Sequence, residues 1–212
     1  MDLKEKSVAE LAQMTASKTP APGGGAIAAM TGAYGAALAA MVARLTIGKK
    51  GYEDVKSEME TLAETADGLR ARLLDAIQKD AASFDAFMEA LGMPKATDEE
   101  KAARKQAMQQ ALKEAAEVPF KTALDAAEIM PLAEQAVLKG NPQAVTDALV
   151  AAMMSRTAVR SALLNVKINL ESINDEAYVA EMREKCRKLE GSVVEDEAHI
   201  LSLVPALSYC RS

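Results

Sequence analysis

Apolar side chains recur every three or four residues along almost the whole chain, which is the spacing of amphipathic helices. No segment shows the sustained two-residue alternation of a half-buried strand. Breaks at Gly, Pro and capping residues delimit six helical segments, at about 7–17, 25–47, 52–91, 97–139, 142–172 and 175–203. The pattern predicts an all-α fold, a single-domain bundle of about six helices, several of them long, over residues 1–212.

Particular residues mark the ends of these segments. Thr97 begins a capping-box pattern, and Asn141 before a proline is typical of a helix start. Pro119 and Pro131 are expected to kink or divide the fourth segment, because proline lacks the backbone N–H that a helix interior requires.

The composition favours one fold class and argues against one class of partner. Half of the residues are hydrophobic, but only 3% are aromatic and there is no Trp, so the core must consist mainly of aliphatic side chains and Met. Such a composition suits closely packed helices better than a sheet. The net charge is −6 and basic residues are interleaved with acidic ones, which argues against nucleic acid as a partner.

One uncharged run, residues 26–43, raises the question of a membrane span. It consists mostly of Ala, Gly, Thr and Met, whose transfer into a bilayer is weakly favourable, so we expect a core helix and no membrane partner. The N-terminus lacks the apolar core of a signal sequence, which predicts a cytoplasmic location. Cys186, Cys210 and His199 do not have the spacing of a zinc motif, and no metal is inferred.

A glycine-rich turn opens the second helix, where Gly23, Gly24 and Gly25 follow Pro22. The unpaired N–H groups at such a helix start favour a carboxylate, a phosphate or a developing negative charge. The same glycines are equally compatible with a tight turn that has only a steric role.

Asp80 is the clearest departure from the helical pattern. It lies on a face of the third helix that is otherwise apolar and comprises Leu69, Leu73, Ala76, Phe84, Phe87 and Leu91. A carboxylate held away from water is costly unless its pKa rises or it pairs with a cation. A raised pKa would suit a proton carrier, whereas a pairing carboxylate would hold a cationic substrate or a structural Arg or Lys.

Polar residues also interrupt the packing face of the fifth predicted helix, at Asp147, Asn165 and Asn169. Asp147 and Asn165 are five turns apart, or about 27 Å, so they cannot contact one small ligand from the same helix. The two asparagines, one turn apart, can present amide groups to a flat heterocycle, while Asp147 would serve another part of the site or a neighbouring subunit. The alternative is that these amides bond only to adjacent helices.

Five blocks of this sequence resemble the cyclodeaminase/cyclohydrolase family of tetrahydrofolate enzymes. They occur in the same order as in the family, between about Thr19 and Asp175: PAPGGG, GAYGAALAAMVARLTIGKKGY, KDAASFDAFMEALGMPK, GNPQAVTDA and NVKINLESIND. The stretches LTIGKKGY and GMPKATDEEKAAR are most similar to the stand-alone cyclohydrolases of that family. The resemblance implies an all-helical homodimer that needs no metal, has no tightly bound cofactor and takes a tetrahydrofolate derivative as substrate.

Together with the polar anomalies, the resemblance implies roles for individual residues. Catalytic roles are expected for Asp80, Asp147 and Lys49. Substrate-binding roles are expected for Pro22, Gly23, Gly24, Gly25, Thr46, Lys50, Tyr52, Asn165 and Asn169. Asp80 is the first choice for the proton carrier, the asparagines for the pterin edge, and the lysines with the glycine amides for the glutamate tail. Lys49 and Lys50 are equally consistent with simply complementing a helix dipole.

Two positions depart from the family pattern. Ala26 stands where Ser is common after the glycines, and Thr146 stands where Ser often precedes Asp147. Bifunctional relatives carry a further transferase domain for which 212 residues leave no room, and this favours hydrolysis of 5,10-methenyltetrahydrofolate to 10-formyltetrahydrofolate. The alternatives are a cyclodeaminase that releases ammonia, and a non-catalytic helical bundle that binds folate or a protein.

Overall fold

The structure, a computed structural model, describes residues 3–207. Seven α-helices carry the fold of this range: α1 (Val8–Thr15), α2 (Gly24–Thr46), α3 (Lys56–Gly92), α4 (Asp98–Ala127), α5 (Ile129–Lys139), α6 (Val145–Leu170) and α7 (Glu176–Ser202). Short 3-10 turns occupy Leu3–Glu5, Glu53–Val55, Pro142–Ala144 and Pro205–Leu207. Within residues 3–207 there is no strand, and the predicted all-α bundle is confirmed.

Helix ends lie close to where capping residues predicted them. The Thr97 side chain accepts a hydrogen bond from the Glu100 N–H, and the Asn141 side chain accepts one from the Gln143 N–H. The fourth predicted segment divides into α4 and α5, which gives seven helices instead of six. Pro131 is tolerated in the first turn of α5, because N–H groups there need no partner within the helix.

Helix α2 packs against both α3 and α6, and most of its buried residues are Ala or Gly. A Cβ atom at Gly32 would lie 3.2 Å from Leu73 on α3, and one at Gly35 would lie 3.3 Å from Met154 on α6. The small residues therefore allow two neighbouring helices to approach the α2 backbone closely.

By length and composition α2 is the one helix, of those described, that is long and apolar enough to cross a membrane. Its most apolar 18-residue window is 61% buried within the bundle. Packing against neighbouring helices therefore accounts for most of its apolar surface.

Two groups of buried side chains hold the bundle together. The main core lies between α2 and the helices from α3 to α7 and includes Cys186, whereas Cys210 lies outside the described residues. A smaller cluster joins Leu3 and Leu11 of the N-terminal segment to Ala29 of α2 and Ile77 of α3. The smaller cluster fixes the start of α2 against the middle of α3.

Candidate functional site

A pocket of about 280 Å³ lies at the N-terminal end of α2, between α3, α4 and α6. Its volume is near the lower end of the roughly 300–1,000 Å³ of small-molecule sites. The polar part of its lining consists of the Gly23–Gly25 turn and the side chains of Asp80, Ser83, Asn165 and Asn169. The glycine turn, the anomalous carboxylate and the two asparagines of the sequence analysis are therefore brought together in one place.

Asp80 of α3 lies directly against the first turn of α2. A Cβ atom built at Gly25 would come within 2.6 Å of the Asp80 Cγ and 2.9 Å of its Oδ2, and closer still to Oδ1. Only a residue without a side chain leaves room for the carboxylate at this point. Glycine is thus required at position 25 because the Asp80 carboxylate approaches the backbone closely. This is the steric role that the sequence allowed for the turn.

Burial raises the pKa of the Asp80 carboxyl, and a hydrogen bond from the Ala26 backbone N–H partly opposes this effect. Across residues 3–207 no Arg, Lys or His forms an ion pair with Asp80, so a structural ion pair does not explain its position. A half-buried carboxylate that has a raised pKa, no cation partner and a pocket in front of it is suited to accept and return a proton.

A groove of similar volume, about 260 Å³, lies on the outer side of α3 and α4. Its buried carboxylate, Asp125, is ion-paired with Arg72 at 2.9 Å. Because that charge already has its partner, we assign the candidate site to the pocket that contains Asp80.

The two asparagines use their amide N–H groups within the protein. Asn165 donates to the Ser161 carbonyl at 2.8 Å, and Asn169 donates to the Ala115 carbonyl at 2.6 Å and to the Asn165 carbonyl at 2.9 Å. No hydrogen bond to either Oδ1 atom is present in the described part of the chain. Both side chains line the pocket and can therefore accept hydrogen bonds from a ligand's N–H groups.

Apart from Pro22, the remaining predicted residues lie at the other end of α2. Gly24 and Thr46 are the first and last residues of the helix, so the two ends are roughly 33 Å apart. Lys49 donates to the Asn141 Oδ1 at 2.6 Å, and its Nζ lies 5.6 Å from the centre of the Tyr52 ring.

Asp147 is half-buried in the first turn of α6, and Lys50 is exposed beside Lys49. These residues and the Asp80 pocket can act on one small ligand only if they come from two copies of the chain.

Two of the predicted substrate-binding residues, Thr46 and Pro22, are buried and do not face the pocket. Thr46 is fully buried, and its hydroxyl donates to the Val42 carbonyl at 2.8 Å while accepting from the Asn141 N–H at 2.8 Å. This hydroxyl is therefore not free for a ligand and instead ties the end of α2 to the start of α6. Pro22 is buried beneath the turn, and the pocket wall is formed by Pro20 and Ala21 instead.

The apolar lining of the pocket is not among the predicted site residues. Phe84 and Phe87 of α3, Leu112 of α4 and Ile168 of α6 all face it. The two phenylalanines share the helical face of Asp80, and that spacing was the available signal. Periodicity alone cannot distinguish a core face from a pocket wall, so the apolar stripe does not by itself predict a site.

The chain is similar to known proteins of one family. The family model described as formiminotransferase-cyclodeaminase matches residues 7–188. A methenyltetrahydrofolate cyclohydrolase from Methylorubrum extorquens is 44% identical over 180 residues, which are 85% of this chain and 85% of that protein. A formimidoyltransferase-cyclodeaminase from Sus scrofa is 33% identical over 96% of this chain, which spans only 38% of that longer protein.

The fold is also that of a solved structure. The crystal structure of a formiminotetrahydrofolate cyclodeaminase from Thermotoga maritima matches with a TM-score of 0.86 and 33% identity, over 96% of this chain and 98% of that one. The family match, residues 7–188, includes the Gly23–Gly25 turn, Asp80 and both asparagines. The chain therefore belongs to the formiminotransferase-cyclodeaminase family.

Proposed function

We propose that this protein is an enzyme that hydrolyses 5,10-methenyltetrahydrofolate to 10-formyltetrahydrofolate. The observation that carries the proposal is the unpaired, half-buried carboxylate of Asp80 in a pocket closed by the glycine turn. The 44% identity to a methenyltetrahydrofolate cyclohydrolase over 85% of both chains supports this reaction over others on the same scaffold.

The substrate explains why a carboxylate is needed. Its bridge carbon belongs to an amidinium-like cation, which an adjacent carboxylate stabilises. As the oxygen of water bonds to this carbon, Asp80 accepts the water proton. The bond from the carbon to the pterin-ring nitrogen then breaks, that nitrogen receives the proton from Asp80, and the remaining hydroxyl proton leaves as the formyl carbonyl forms.

The neighbouring groups suit the rest of this substrate. The free Oδ1 atoms of Asn165 and Asn169 can accept hydrogen bonds from pterin N–H groups. At the start of α2 the Ala26 N–H donates to Asp80, and the N–H groups of Gly24 and Gly25 can stabilise negative charge that develops on the oxygen. At about 280 Å³ the pocket suits the ring system, and the glutamate tail extends beyond it.

We also propose that the protein acts as a homodimer, with α2 and α6 at the interface. These two helices pack side by side and expose large apolar residues: Tyr34, Met41, Leu45, Val150, Met153, Leu164 and Ile168. Large apolar residues exposed on two neighbouring helices support a protein interface there. Sedimentation should give twice the mass of the 22.5 kDa chain, and Leu164→Lys should give the monomer while Leu138→Lys, an exposed position on α5, should not.

A two-fold axis across the helices would set the two α2 helices antiparallel. The partner's Lys49 and the partner's Asp147 would then approach the Asp80 pocket. In this arrangement Lys49 and Asp147, which lie near the C-terminal end of α2, would contact the substrate bound by the other subunit. A catalytic role for Lys49 and Asp147 is therefore proposed only across the dimer.

The rival reaction is that of the cyclodeaminase, which closes the ring and expels ammonia. The structural match to such an enzyme supports this alternative. Purified protein is offered methenyltetrahydrofolate and formiminotetrahydrofolate separately, and the methenyl chromophore and ammonia are followed. Consumption of the chromophore without ammonia supports the proposal, and its formation with ammonia supports the rival. Binding without turnover of either folate would indicate a non-catalytic bundle.

A further inference from the structure

Aromatic residues are scarce in this chain, yet two of them face the Asp80 pocket. The sequence has three Phe, four Tyr and no Trp. Phe84 and Phe87 line the pocket. Phe87 also packs against the main core, as does Phe120, which does not line the pocket. Both pocket phenylalanines are only partly buried, so ring surface remains available to a ligand.

The positions of the two phenylalanines along the α3 axis are fixed relative to Asp80. Phe84 and Phe87 follow Asp80 by four and seven residues on the same face of α3, which places them roughly 6 and 10 Å farther along the helix axis. The wall from α4 and α6 contributes Leu112 and Ile168, and Ile168 is 67% exposed. The pocket therefore has a polar floor at Asp80 and an apolar upper wall.

We propose that Phe84 and Phe87 bind the aminobenzoyl ring of the folate and thereby position the bridge carbon at Asp80. This inference rests on the proposed function. In methenyltetrahydrofolate the bridge carbon is bonded to a nitrogen that carries this aryl ring, so the ring must lie within one or two helical turns of the reacting carbon. Two phenyl side chains at that height supply the offset or edge contacts that aromatic rings prefer.

The arrangement also orients the substrate. With the aryl ring against Phe84 and Phe87, the pterin ring is left to the part of the pocket where Asn165 lies beside the glycine turn. Phe84 and Phe87 are thus positioning residues that favour substrates carrying an aryl group on the bridging nitrogen.

The test uses the full-length protein with Phe84→Leu and Phe87→Leu, and Phe120→Leu as a matched control outside the pocket. We expect the KM for methenyltetrahydrofolate to rise roughly three- to tenfold in each pocket variant, with a smaller change in kcat. A methenyl-bridged tetrahydropterin with a methyl group in place of the aryl ring should show the same KM in the wild type and both variants. Phe120→Leu should lower the Tm without changing either KM.

Equal effects on both substrates, or an unchanged KM for the folate, would overturn the inference. Calorimetric binding of tetrahydrofolate, which carries the aryl ring but no bridge, separates this result from a failure of the proposed reaction. Weaker binding by both pocket variants supports the ring contact even in a protein that does not turn over. Unchanged binding contradicts it even where wild-type turnover confirms the reaction.

Discussion

Gly25 and Asp80 are in direct contact, since a Cβ atom at position 25 would come within 2.6 Å of the carboxylate carbon of Asp80. The start of α2 and the middle of α3 therefore fit together only because one of the two residues has no side chain. This contact sets the position of the carboxylate in the pocket.

The first prediction tests that contact. Gly25→Ala should displace the Asp80 carboxylate and lower kcat at least about tenfold, because a small misplacement of a catalytic group has a large effect on rate. Circular dichroism should show that helix content is kept. Gly191→Ala on α7 is the control, because a Cβ atom there meets nothing within 4 Å, and its kcat should equal that of the wild type. Full activity in Gly25→Ala would mean that the contact does not position the carboxylate.

The second prediction concerns stability and pH. Because the pKa of Asp80 is raised in the folded state, the unfolded chain releases this proton more readily than the folded protein does. The ionised carboxylate therefore lowers stability progressively as pH rises from its ordinary value of 3.8 through the raised pKa. Asp80→Asn removes this effect, so its Tm should exceed the wild-type Tm at pH 8 and approach it at about pH 4.

Thermal unfolding across this pH range measures the difference, with Asp85→Asn, an exposed position on the same helix, as control. A Tm difference between Asp80→Asn and the wild type that stays constant with pH would show that burial does not disfavour the charged form.

The third prediction separates the two asparagines. Asn165→Ala should raise the KM for the folate by roughly five- to thirtyfold, because an acceptor for the pterin is lost. Its own donor bond stays within α6, so its Tm should change little. Asn169→Ala should also lower the Tm, because it loses the bond that ties α6 to the Ala115 carbonyl of α4. A KM that is unchanged in both variants would leave these amides only a structural role.

The fourth prediction tests whether the far end of α2 acts across the dimer. Asp80→Asn and Lys49→Gln should each be nearly inactive alone. Mixing them under conditions that allow subunit exchange should restore about a quarter of wild-type activity, because half of the dimers are mixed and each has one intact site. If the mixture stays inactive while sedimentation shows mixed dimers, Lys49 does not act at the partner's pocket.

Much of the fold follows from local sequence signals. Helical spacing of apolar residues and caps such as Thr97 and Asn141 placed the helices within a few residues. The division of the fourth segment came from proline, although Pro119 lies inside α4 without ending it. Which prolines a helix tolerates depends on its neighbours in three dimensions, and spacing along the chain does not contain that information.

The site was predictable only in part. Asp80 was identifiable because a carboxylate on an apolar stripe is costly whatever the tertiary structure. Lys49 and Thr46 were grouped with the glycine turn because they belong to the same conspicuous segment, yet a continuous helix of 23 residues holds them at its opposite end. Phe84 and Phe87 belong to the pocket but were not predicted, because their spacing fits a core face as well as a pocket wall.

The most direct test of the central claim is the rate at which purified Asp80→Asn consumes methenyltetrahydrofolate. The amide keeps the size of the side chain but cannot carry the proton. We predict that kcat falls at least about 100-fold below the wild-type value while the Tm at neutral pH does not fall. A variant that hydrolyses the substrate at the wild-type rate would contradict the assignment of Asp80 as the proton carrier.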